Sequence, residues 1–244
     1  MLIPVVVAFA LWANPPDPGR GEGFFYAATQ TGLLFPAAML RVTSRLVLLV
    51  VIALFAGDAI AGEAITGNLR YQLLRPIGRG RLLAAKLIIA ATLALVTTIA
   101  LTLTATIAGG IAFGFGPLHV PAFFVDQSAG NLLLHTAMAT GFVAWSLASV
   151  VAFGFMVSTM TASPGGAAAA AVGLGILSQV LEAIESLGSI RDYLPLRYFD
   201  AWTGLFFSGR VPDDVYSGLL QPIPFVLVFC GFAWWWFRRK DVLA

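Results

Sequence analysis

With 244 residues that are 59% hydrophobic and 11% charged, and a mean hydropathy of +0.89, the chain is too apolar for a water-soluble domain, which carries about 25% charged residues. A formal net charge of +2 says little in such a chain, where the distribution of charge over the loops carries the information, and no nucleic-acid partner is expected. The single cysteine, Cys230, excludes an intrachain disulfide framework and any cysteine-based metal cluster.

A helix needs about 20 apolar residues to cross a hydrocarbon core of roughly 30 Å, so this length accommodates about six spans with short loops. The expected class is an all-α polytopic membrane protein, read as one transmembrane domain over residues 1–244. Met1 to Ala13 is apolar but reaches only about 20 Å as a helix, and no basic residue precedes it, so it reads as a shortened first span rather than a signal peptide. Asn14 to Gly23, dense in Pro, Gly and charge, reads as a loop. A second span is expected over 37–61, with Arg41 and Arg45 four residues apart on one face and able to snorkel to an interface. A third is expected over 82–107, and the Gly-rich stretch Gly109 to Gly130 reads as a loop or a partly re-entrant piece. The fourth covers 131–158, Thr161 to Gly166 reads as a tight turn, and the fifth covers 167–185. Leu187 to Leu220, aromatic and charged, is expected largely in the interface, and a last span over 221–237 ends in Trp234, Trp235 and Trp236, followed by Arg238, Arg239 and Lys240.

Six spans place both termini and two loops on one side. That side collects Arg70, Arg75, Arg79, Arg81, Lys86, Arg238, Arg239 and Lys240 against Asp58, Glu63 and Asp241, whereas the other side is acidic on balance. The positive-inside rule makes the basic side, with the C-terminus, cytoplasmic. Anchoring explains part of this charge but not the apolar pattern beside it. Ile65, Leu69 and Leu73 fall four residues apart with Leu74 adjacent, while Asn68, Arg70, Gln72 and Arg75 occupy other faces, as in a short amphipathic helix. Pro76, Gly78 and Gly80 then break it before the third span begins. Periodicity alone fits a helix lying on the membrane surface and one filling a groove in a soluble partner equally well. The sequence contains no G-x-x-x-x-G-K-[ST] phosphate loop, so any ATP is handled by another chain.

The run from Gly57 to Leu87 resembles the signature of ABC-2 type permeases, the membrane subunits of a class of ATP-binding cassette exporters. Glu63, Gly67, Leu69, Leu73, Leu74, Pro76, Arg79 and Lys86 match that pattern in order, and the C-terminal aromatic run followed by Arg238 to Asp241 fits it too. The N-terminus departs from it, because members usually begin with a cytoplasmic amphipathic segment and a full first span. The resemblance implies a type V exporter-like architecture in a bacterial plasma membrane. It also implies a coupling helix over 64–75, with Ile65, Leu69, Arg70, Leu73, Leu74, Arg75, Pro76 and Arg79 facing an ATP-binding subunit. Two such subunits, carrying the ATP and Mg, would serve two permease chains forming a homo- or heterodimer among membrane lipids, and this chain would bind no cofactor itself. The fifth and first spans would form the contact between permeases. The small residues Ala167, Ala171 and Gly175, four apart, would allow that close approach.

Two further groups stand out. Asp58 and Glu63, near the cytoplasmic end of the second span, are expected to gate or couple by pairing with the arginines of the loop, Glu63 and Arg70 sharing a face. Ser178, Glu182 and Glu185 share a face of the fifth span and, paired with Arg41 and Arg45, would make an outer polar vestibule. His119 and His135 have no carboxylate or HExxH neighbour and read as structural rather than metal-binding, and no catalytic constellation is found. The expected function is ATP-driven export of an amphiphilic, drug-like or lipid-like substrate by alternating access. An ATP-independent membrane-embedded enzyme would need convergent catalytic side chains. An ion-coupled secondary carrier would need acids near the midplane, whereas these cluster near the ends.

Overall fold

A computed structural model describes residues 2–15, 23–67, 78–116, 118–120, 125–207 and 212–239. Among them the regular structure is helical apart from one short antiparallel hairpin that pairs β1 (Leu118–Val120) with β2 (Val125–Gln127). The first helices are α1 (Leu2–Ala13), too short to span, and α2 (Gly23–Gln30). Five helices among the described residues are long and apolar enough to cross a membrane: α3 (Phe35–Ile65), α4 (Arg79–Phe113), α5 with α6 (Ala129–Ser146 and Ala148–Met160), α7 (Pro164–Glu182), and a last pair. Between α7 and that pair lie a 3₁₀ helix over Glu185–Tyr193, another over Ala201–Thr203 and the short α8 (Gly204–Phe207). The last pair is α9 (Asp213–Leu220) and α10 (Pro222–Arg239).

Three departures from the sequence reading have local physical causes. The third span does not stop near Ile107 but continues through Gly109 and Gly110 to Phe113, ending at Gly114 in the left-handed region at φ +82°. The glycines there serve close packing rather than a break, since a Cβ on Gly109 would stand 2.6 Å from Phe35 Cβ and 2.7 Å from the Gly32 carbonyl. The second span carries a π-helical turn at Ser44–Leu48, which places Arg45 inside an irregular turn. Within the expected interfacial stretch, Leu196 and Phe199 in the turns after the first 3₁₀ helix, Trp202 in the second and Phe206 in α8 are buried, whereas Tyr193 is exposed.

The chain forms two compact units. One comprises Met1–Arg45, Thr97–Val143 and Asp200–Val215. Its core holds Leu33 to Leu40, with Phe35 against Phe113 at 6.0 Å and Trp202 edge-on to Phe206 at 6.1 Å, and the buried Thr102 and Thr140 hydroxyls meet at 3.1 Å. An open apolar groove of about 520 Å³ lies between α1 (Val5, Phe9, Trp12) and α4 (Thr104, Ile107, Ile111).

The other unit comprises Leu46–Val96, Ala144–Phe199 and Tyr216–Ala244, and is built around α3, α6 and α7. Leu49, Ile52, Ala53, Ala56, Gly57, Ile60 and Ala61 form the helical stripe of α3 that is buried. Ser163 caps α7 by accepting from the Gly166 N–H at 3.1 Å, and Pro164 follows where its missing N–H costs nothing. Ser158 on α6 reaches into the backbone of α3: its Oγ accepts from Ile60 N–H at 3.1 Å and Ala61 N–H at 2.9 Å and donates to the Gly57 carbonyl at 2.7 Å. Ser158→Ala is expected to lower stability by about 1–3 kcal/mol, because buried backbone groups lose their partner, and thermal unfolding in mild detergent reads the loss.

Candidate functional site

Three helix ends meet within the second unit. Ile60 on α3, Leu83 on α4, Phe155 on α6 and Ala233 and Phe237 on α10 share one buried cluster. Trp234 covers Gly80, where an added Cβ would stand 2.6 Å from the indole, and Arg79 Nη1 donates to the Arg238 carbonyl at 3.4 Å. The guanidinium of Arg239 lies 4.5 Å above the Trp235 ring, a cation–π contact that fastens the basic end of α10 to its own aromatic run.

α3 closes with Gly67 at φ +73°, whose N–H donates to the Ala64 carbonyl at 3.2 Å, a left-handed C-terminal cap suited to glycine. Just inside that end, Glu63 forms an ion pair with Lys86 in the first turns of α4. Each side chain retains 21% exposure, and the second carboxylate oxygen of Glu63 is buried without a hydrogen-bond partner among the described residues. Asp58, five positions earlier on α3, is exposed and has no ion pair among the described residues. Asp58, Glu63 and Lys86 line a cleft of about 450 Å³ whose remaining wall is largely apolar, including Phe55, Ile89 and Leu93.

Of the residues expected on a coupling helix, Leu69, Arg70, Leu73, Leu74, Arg75 and Pro76 lie outside the described residues. Ile65 is the exposed last residue of α3, and Arg79 is the first residue of α4. The partner of Glu63 is Lys86, a pairing that local spacing could not suggest because the two are 23 residues apart.

Among the polar residues expected at a vestibule, Arg45, Ser178 and Glu182 have partners within their own unit. Arg45, in the π-helical turn, forms its ion pair with Asp200 within the first unit. In the second unit Glu182 accepts from Arg197 Nη1 at 3.2 Å, and Arg197 Nε lies 3.5 Å from Asp192. The Ser178 Oγ, buried, accepts from the Leu196 N–H at 3.1 Å, and Gln221 Nε2 donates to the carbonyls of Asp192 and Leu194 at 3.1 and 2.6 Å. Glu185 is exposed at the start of the 3₁₀ helix, and Arg41 is exposed on α3. Within each unit, then, Arg45 is paired with Asp200 and Glu182 with Arg197. Sequence reasoning missed Asp200, Arg197 and Gln221, whose only signal was polarity inside an aromatic stretch.

The stripe Ala167, Ala171 and Gly175, expected at a contact between two chains, is buried inside one chain. Small residues let α7 pack on α3 and on α6: a Cβ on Gly57 of α3 would stand 2.6 Å from Ala168 N, Gly175 faces Leu49 of α3, and Ala171 Cβ lies 3.0 Å from where a Cβ on Gly154 of α6 would sit. The spacing correctly marks a close helix crossing, but the partner helix belongs to the same chain. Among the described residues no group of three His, Cys, Asp or Glu side chains is placed to hold a metal ion.

Large apolar side chains lie exposed along the spans, Ile88, Leu95, Ile99, Leu103, Ile107 and Ile111 on α4 among them, a surface that lipid stabilises and water does not. Together with five membrane-length helices, this defines a multi-pass α-helical membrane protein. The chain belongs to DUF2705, a family of proteins of unknown function, whose pattern it matches over residues 27–243. No curated protein matches it in sequence.

Proposed function

We propose that this chain is the transmembrane permease subunit of an ATP-driven exporter of the ABC-2 type. In this reading α1 is a sixth, shortened span, the C-terminus is cytoplasmic in a bacterial plasma membrane, and the coupling element seated on a separate ATPase subunit begins after the Gly67 cap of α3, not at residue 64, and carries Leu69, Leu73 and Leu74. Two permease chains and two ATPase subunits move an amphiphilic substrate by alternating access.

The observation that carries the proposal is the Glu63–Lys86 ion pair. The two residues that bracket the resembling motif are in contact, so the ends of α3 and α4 are fastened together and a push on the loop between them is delivered to both spans at once. The contact of Arg79 with the α10 end, and the packing of Trp234 on Gly80, extend that fastening to a third helix.

The reading predicts that an adjacent reading frame encodes a soluble ATPase with a phosphate-binding loop, and co-expression with that protein tests it. The chain is expected to co-purify with it and to alter its ATP turnover. Leu69→Asp combined with Leu73→Asp is expected to cut capture of that subunit at least tenfold, because two carboxylates would have to be desolvated in an apolar groove. Unchanged capture and turnover in the double variant would remove the coupling-helix proposal.

A further inference from the structure

The cleft beside the Glu63–Lys86 pair holds more negative charge than it neutralises. Two carboxylates and one ammonium line it. Lys86 is committed to Glu63, which leaves Asp58 without a counter-charge among the described residues. Asp58 sits five residues before Glu63 on a spanning helix, about 7.5 Å farther along its axis from the Gly67 end. The wall facing it is hydrocarbon: Phe55 on α3, and Ile89 and Leu93 on α4, the last two 53% and 41% exposed at the mouth. A charged point at one level, with an apolar wall extending deeper into the membrane, complements a molecule with one cationic head and an apolar body.

We propose that this cleft binds a lipophilic monocation, an ammonium on an apolar tail, with the ammonium on Asp58 and the tail along Phe55, Ile89 and Leu93. A zwitterionic lipid headgroup fits less well, because the lining cation that its phosphate would need is already held by Glu63. An anionic amphiphile meets an unpaired carboxylate and is repelled. On the charge asymmetry of the loops, entry is from the cytoplasmic leaflet. The site deepens the permease reading by naming a substrate class, and it rests on that reading only for the transport step after binding.

The test uses the purified full-length chain in phosphatidylcholine nanodiscs, without any ATPase, so its outcome is separate from that of the co-purification experiment. The probes are three alkyl chains of equal length carrying a diazirine near the head: a trimethylammonium, an alcohol and a carboxylate. Mass spectrometry after illumination is expected to find the cation on residues of the cleft wall, displaced by unlabelled alkyltrimethylammonium, with the other two probes at least tenfold weaker there. Asp58→Asn, isosteric and at an exposed position, is expected to lower cation labelling at least tenfold and leave alcohol labelling unchanged. Lys86→Met, which releases Glu63, is expected to raise cation labelling. Equal labelling by all three probes, no effect of Asp58→Asn, or displacement of the cation by phosphatidylethanolamine in the nanodisc would each overturn the proposal.

Discussion

Gly57→Ala, the addition of a single methyl group, is expected to destabilise the protein by about 3 kcal/mol or more, the upper end of the usual range for overpacking. The added Cβ would stand 2.6 Å from Ala168 N, 2.9 Å from the Pro164 carbonyl oxygen and 3.0 Å from Ala168 Cα. All three are backbone atoms in the first turn of α7, held in place by the Ser163 cap and the Pro164 ring, so no side chain can rotate out of the way. Relief requires α3 and α7 to separate, which loosens Leu49 against Gly175 along the same crossing and disturbs the neighbouring contact of Ala56 with Gly154 on α6. It also pulls the Gly57 carbonyl from the Ser158 hydroxyl.

Gly173→Ala on α7 and Gly141→Ala on α5 are the controls, since an added Cβ meets nothing within 4 Å at either position. There the alanine is expected to be neutral or to gain up to about 1 kcal/mol in helix propensity. Thermal unfolding in mild detergent, followed by size-exclusion recovery, separates the two groups. A Gly57→Ala protein that melts with the wild type would show that the α3–α7 crossing is not close-packed.

Four particular cases mark how far the sequence could be read. Hydropathy is a property of each segment by itself, so the spans were legible as α3, α4, α5 with α6, α7 and α10 wherever an apolar run met a charged or Pro-rich boundary. Glycine was not legible in the same way. Gly109 and Gly110 read as a break by local rules, yet Gly109 is required by the close approach of Gly32 and Phe35, far away in the chain, and Gly110 lies under the Phe115 ring. The Ala167–Ala171–Gly175 stripe likewise announces that some helix comes near, while nothing in its spacing says whose helix. Charges show the same limit most plainly. Arithmetic along one helix offered Glu63 an arginine seven positions on, which lies outside the described residues, and could not offer the pairs that join residues separated by 23 positions for Glu63–Lys86 and 155 for Arg45–Asp200. The resembling motif did include both Glu63 and Lys86. It marked them as two positions in a pattern, and the contact between them is what the structure adds.

Reversing one charge of that pair is expected to have the second large effect, and reversing both to undo it. Removing one partner of a buried pair costs about 3–5 kcal/mol, and because a fifth of each side chain here is exposed, the cost is placed near 3 kcal/mol by solvent screening. The two single reversals should differ. Lys86→Glu brings a third carboxylate into a cleft that already holds Asp58 and Glu63, with no cation left among its lining residues. Glu63→Lys leaves two ammoniums, one of which has Asp58 within the same cleft to turn to, so it should be the milder change. The double reversal restores an opposite-charge pair at the same two positions and is expected to recover most of the stability, with a coupling energy of about 1–3 kcal/mol in the double-mutant cycle. On the proposed permease reading, capture of a partner ATPase should fall in each single variant and return in the double. Single variants as stable as the wild type would show that the pair holds nothing together. A double reversal no better than Lys86→Glu would show that position and hydrogen bonding, rather than charge opposition, fix the two helix ends.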